Sequence, residues 1–125
     1  MVKEEISQPA REEQIEAQPQ QQNSDIYVPQ DVALKRMFIQ AKKYSAINEK
    51  EKALYAFQSA MDYAQEVGDE QTCAMIHYEE GRLYDDFNQL SDALYNYNQA
   101  AEQSSNNNIT YNSSIRISNI VSCIN

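Results

Sequence analysis

One histidine, two cysteines and two acidic doublets are the residues of this 125-residue chain best suited to chemistry. Catalysis by imidazole needs a nucleophile and an orienting acid to converge on it. His77 has neither at a recognisable spacing, and its place in a repeat (below) points to a packed or half-buried ring. Glu79-Glu80 and Asp85-Asp86 resemble carboxylate pairs. Neighbours on a helix point about 100° apart and do not converge, so a solvated face is expected for both. Asp62, Glu66, Asp69 and Glu70 read as solubilising charge near a helix end. Cys73 and Cys123 stand fifty residues apart, outside any C-x-x-C spacing, and read as two small apolar thiols of a reducing compartment. The chain holds no nucleophile elbow, phosphate loop or metal-ligand triad. No catalytic residue, cofactor or metal is expected.

The elements around these residues are helical. The net charge is −9. That excludes nucleic acid and anionic membranes as main partners, because both need clustered cations. No apolar run approaches the roughly 18 residues of a membrane helix, and the N-terminus lacks the apolar centre of a secretory signal. A cytoplasmic protein without membrane insertion is expected. Residues 1–28 are rich in Glu, Gln, Pro and Ser and read as a disordered tail. Ile26-Tyr27-Val28 breaks that tail, either as a packing contact beside the first helix or as a short docking motif.

Residues 29–125 read as a helical body. Pro29 suits a first helical position and Asp31 a first turn. Leu34, Met37, Phe38, Ala41 and Tyr44 mark one helix face. Only two glycines occur, and no proline follows Pro29, which speaks against sheet turns. Five helices are expected, near 30–47, 49–67, 70–87, 90–104 and 110–124.

A shift of forty residues superposes the body on itself. It takes Ala41 to Gly81, Tyr44 to Tyr84, Asn48 to Asn88, Ala53 to Ala93, Phe57 to Tyr97 and Ala60 to Ala100. Small residues let two helices approach, so Gly81 is expected to face Ala93, with Tyr84 and Tyr97 filling the space beside them. Each unit is then a helical hairpin that needs a neighbour to bury both faces. Asn48 and Asn88 suit left-handed helix ends, Gly68 the end of the second helix and Asp69 the cap of the third. Asn108, forty residues after Gly68, is expected to punctuate the next loop. Ile117, Ile120, Val121 and Ile124 then form the apolar stripe of a fifth helix, either a cap or the start of a third unit, with Arg116, Ser118 and Asn119 on its polar outer face.

The series Ala41, Tyr44, Ala53, Phe57, Ala60 and its copy Gly81, Tyr84, Ala93, Tyr97, Ala100 resembles the tetratricopeptide repeat family. The period is 40 instead of about 34, the aromatic anchor is replaced by Met37 and His77, and the repeat-end proline is missing. The resemblance implies an all-α, right-handed superhelix of antiparallel helix pairs: two repeats plus a capping or partial-repeat helix. It further implies that the first helix of each pair lines a concave groove. Lys35, Phe38 and Lys42 are the groove candidates of one unit, and Met75, Tyr78 and Arg82 those of the next. Lys42 and Arg82 are equivalent by the shift. They either hold an acidic or C-terminal carboxylate peptide, or pair locally with Glu79, Asp85 or Asp86. The implied function is a non-enzymatic adaptor or scaffold that binds a protein or peptide, possibly acidic. The alternatives are an assembly module that self-associates through exposed helix faces, or a fragment of a longer array.

Overall fold

The computed structural model describes residues 29–124, and every regular element among them is an α-helix. The 1–28 tail and its Ile26–Val28 island lie outside the described residues. The helices are α1 Val32–Ala46, α2 Lys50–Val67, α3 Glu70–Asp86, α4 Leu90–Gln103 and α5 Asn107–Ile124.

Local chemistry sets most of the boundaries. Asp31 is the N-cap of α1, not part of its first turn: its Oδ1 accepts from the Leu34 amide at 3.0 Å. Pro29 therefore stands two residues ahead of the cap. The other Asp31 oxygen accepts from the Tyr63 hydroxyl at 3.2 Å, which ties the start of α1 to the end of α2. Asp69 caps α3 in the same way, accepting from Thr72 N at 3.0 Å.

Asn48 and Asn88 adopt φ of 62° and 60°. Behind them the Glu49 amide reaches the Tyr44 carbonyl at 2.9 Å, and the Gln89 amide reaches Tyr84 at 2.8 Å. The two turns thus share this bond, forty residues apart. Gly68, at φ 76°, closes α2 with the same bond, from Asp69 N to Ala64 O at 2.9 Å.

The period fails at the next turn. Ser104 is extended, and α4 ends without a left-handed residue. Asn106 takes the capping role: its Oδ1 accepts from Asn108 N at 2.9 Å and Ile109 N at 3.1 Å. Asn108 therefore lies inside α5, which starts three residues earlier than expected.

The odd helices approach one another in order, α1 to α3 and α3 to α5, whereas the backbones of α2 and α4 stay apart. The odd helices thus lie on one side and the even ones on the other. α5 packs mainly on α4 and secondarily on α3, as α3 does on α2 and α1. The core runs from Leu34, Phe38 and Ala41 through Phe57, Ala60 and Met61 to Ile76 and Leu83. A second cluster joins Ala93, Tyr97 and Ile120.

α3 and α4 approach closely at Gly81. A Cβ on Gly81 would come 2.7 Å from Cδ1 of Tyr97. The ring of Tyr97, and not Ala93, thus fills the space opposite the glycine. On α5 the buried positions are Ile109, Ser113 and Ile120, with Ile117 packed beside them. Val121 and Ile124 remain 38% and 59% exposed, because nothing described packs on the far side of α5. Arg116 does not join Ser118 and Asn119 on the outer face. It is half-buried beside Tyr78, Tyr97 and Asp85.

Candidate functional site: the Lys42–Glu79–Arg82 patch

α1 and α3 each bring one cation to the same carboxylate. Lys42 Nζ stands 3.7 Å from Glu79 Oε2, and Arg82 Nη1 stands 3.5 Å from Glu79 Oε1. Both cationic side chains are 45% exposed, against 10% for the carboxylate between them. The equivalence of Lys42 and Arg82 thus brings them together, and of the local partners named from sequence they take Glu79.

The apolar candidates divide. Phe38 and Met75 are core residues, 5% and 4% exposed, and offer a ligand little surface. Phe38 instead supports Lys42, whose ammonium lies 5.7 Å from the ring centroid, and meets Phe57 edge-on at 6.2 Å. Tyr78 is half-buried against Tyr97, with ring centroids 5.7 Å apart. Lys35, one turn before Phe38, is exposed. Of the six residues named from sequence, Lys42 and Arg82 thus meet at Glu79, Phe38 and Met75 lie in the core, and Tyr78 and Lys35 stand half-buried and exposed.

The acidic doublet departs from expectation. Glu79 and Glu80 are buried, 8% and 9% exposed, where a solvated face was expected. Their divergence along the helix still holds, and it sends them to two different sites. Glu79 joins the cations. Glu80 enters a polar cleft of about 560 Å³ between α2 and the α3–α4 pair, lined also by His77, Tyr84, Asp92 and Asn96. Burial pushes the Glu80 carboxyl up to about 7. His77 Nδ1 lies 2.9 Å from Asn96 Oδ1 and 4.0 Å from Glu80 Oε1. Asn96 Nδ2 donates to the Asp92 carbonyl, so its oxygen accepts and His77 donates from Nδ1.

On the other side of α3, burial works against the Arg116 charge, but Tyr78, Tyr97 and Asp85 raise its pKa overall. Burial also raises the Tyr97 hydroxyl, which donates to Asp85 Oδ2 at 3.3 Å. Cys73 is buried and its thiol pKa is raised by that burial, with Asp69 and Glu70 adding to it, whereas Cys123 is exposed. Among the described residues no group of three or more His, Cys, Asp or Glu is placed to hold a metal ion. No described helix is long and apolar enough to cross a membrane. Searches of family models, curated proteins and solved structures return no match to this chain.

Proposed function

We propose that the chain is a non-enzymatic interaction module of tetratricopeptide type, which takes an acidic protein segment along the face formed by α1, α3 and α5. The observation that supports this most is the sharing of one buried carboxylate by two half-exposed cations from successive units. Two positive charges against one negative leave the patch with a net positive charge. Glu79 uses few of the three ammonium and five guanidinium donors, so an incoming carboxylate can bridge the rest. Because Glu79 already holds both cations, binding spends little side-chain entropy. Lys35 extends the basic strip, and Tyr78 gives it an apolar edge.

The test is titration of the full chain with a Glu-rich helical peptide at several ionic strengths. Affinity is expected to fall with salt, since exposed pairs are screened over a Debye length of about 8–10 Å. Replacing Lys42 and Arg82 by Gln, with Glu79→Gln to avoid a buried lone charge, is expected to abolish binding while the helical signal remains. Equal binding by parent and triple variant would overturn the reading. A second reading, self-association through open helix faces, draws on Ile115, Val121 and Ile124, which are 41%, 38% and 59% exposed on α5. A sedimentation mass that rises with protein concentration would favour it.

A further inference from the structure

The polar cleft of the second unit has an uncovered counterpart in the first. The forty-residue shift takes Met37, Tyr44, Tyr55 and Ala56 onto His77, Tyr84, Tyr95 and Asn96. In the second unit, α2 walls this surface with Gln58, Met61 and Gln65. In the first unit the matching cleft, of about 740 Å³, is lined among the described residues by α1 and α2 alone, and Tyr55 is 78% exposed against 61% for Tyr95. Among the described residues this surface is left open, whereas in the second unit α2 walls the matching surface with one apolar residue between polar ones.

The rim of the open cleft carries Arg36 and Lys52 with one carboxylate, Glu51. Arg36 makes no ion pair among the described residues, and α1 holds four cations and no acid. Leaving aside the groove candidates Lys35 and Lys42, four cations and two carboxylates stand between Val32 and Lys52, a net charge of +2. Residues 1–28 hold six carboxylates and two cations, a net charge of −4. Within them Ile15 is the one large apolar residue between Ser7 and Asp25, and Glu12, Glu13 and Glu16 surround it. The pair Glu12 and Ile15 has the spacing of Gln58 and Met61.

We propose that the chain's own segment Arg11–Gln18 docks on this open end, with Ile15 on the Met37–Tyr55 cleft and its glutamates against Arg36 and Lys52. The tether permits it. Fourteen residues separate Ile15 from Pro29 and span up to about 50 Å, whereas Val32 to Tyr44 along α1 covers roughly 18 Å. Attachment also raises the local concentration of the segment to about the millimolar range. The inference uses none of the groove cations and stands apart from the proposed peptide binding.

The chain contains no tryptophan, so Tyr55→Trp places a single reporter on the cleft. In the full chain this indole is expected to be shielded from acrylamide. Reversing Glu12, Glu13 and Glu16 to Lys, or Ile15→Ser alone, is expected to red-shift its emission and raise its quenching. Tyr95→Trp, the matching site on the second unit, is expected to be unaffected by either change. Neither tail variant alters the helical body, so circular dichroism should be unchanged. An indole at position 55 that is equally accessible with and without the tail changes would overturn the proposal. So would shielding that appears only as protein concentration rises, which would assign the cover to a second copy.

Discussion

The two helical pairs share a backbone plan and differ in chemistry. In the first pair, Phe57 packs opposite Ala41 with no polar anchor. In the second, Tyr97 replaces Phe57, Gly81 replaces Ala41, and Asp85 stands where the first pair has Ser45. The hydroxyl of Tyr97 is bonded to Asp85, and its ring takes the volume of a Cβ on Gly81. The same trade recurs on the opposite side of α3. Met37, Gln40 and Ala56 become His77, Glu80 and Asn96, which form a buried polar cluster. One unit is held by apolar fit, and the other adds hydrogen bonds and a strained carboxyl. A repeat therefore preserves small and large positions while leaving polarity free to change.

The largest expected effect breaks the crossing that distinguishes the second pair. Gly81→Leu forces a branched side chain into the Tyr97 ring and is expected to cost about 1–3 kcal/mol or more. Denaturant unfolding measures it, and a midpoint equal to the parent's would remove the close crossing from the account. Gly81→Ala is expected to be milder, and milder still beside Tyr97→Phe, which frees the ring from Asp85.

Glu80 comes next. Its folded pKa of about 7 lies above the ordinary carboxylate value of 4.5. The folded state thus binds the proton more tightly than the unfolded chain. The resulting stability is fully present below about pH 4.5 and is lost as pH rises through 7, by on the order of 3 kcal/mol at most. Glu80→Gln, which copies Gln40 of the first unit, is expected to be more stable than the parent at pH 8 and to flatten this slope. Thermal unfolding at pH 5, 6.5 and 8 checks it. A parent whose midpoint rises through this window, with the variant following it, would contradict the assignment.

The smallest effects concern the turns. Asn88→Ala loses a favoured left-handed residue and is expected to cost about 1 kcal/mol. Asn108→Ala is expected to cost less than Asn88→Ala, because position 108 lies in helix α5 and not in the left-handed region. Equal losses at both sites would restore the uniform period.

These cases also mark what sequence chemistry carries. Asn48, Asn88, Gly68 and Asp69 could be read because a left-handed residue or a cap acts on its own few neighbours. The α4–α5 turn could not, since the run Ser104 to Asn108 offers several rival caps in five positions. Glu79 and Glu80 were misplaced on a solvated face because their burial is decided by Lys42 on another unit and by the α2–α3 cleft. Phe38 and Met75 share the register of Lys42 and Arg82, yet both are buried in the core, Phe38 against Phe57 of α2, and periodicity alone does not tell the buried edge of a stripe from the exposed one. Val121 and Ile124 show the reverse on α5, which is packed on one side only.

The central claim is that the shared carboxylate holds two cations ready for an acidic ligand. Calorimetric titration of the Glu-rich peptide against the parent and Glu79→Gln tests it most directly. Glu79 holds both cations in place, so its neutralisation is expected to weaken binding even though it removes a negative charge from the patch. Tighter or unchanged binding by Glu79→Gln, with the fold intact, would contradict the account.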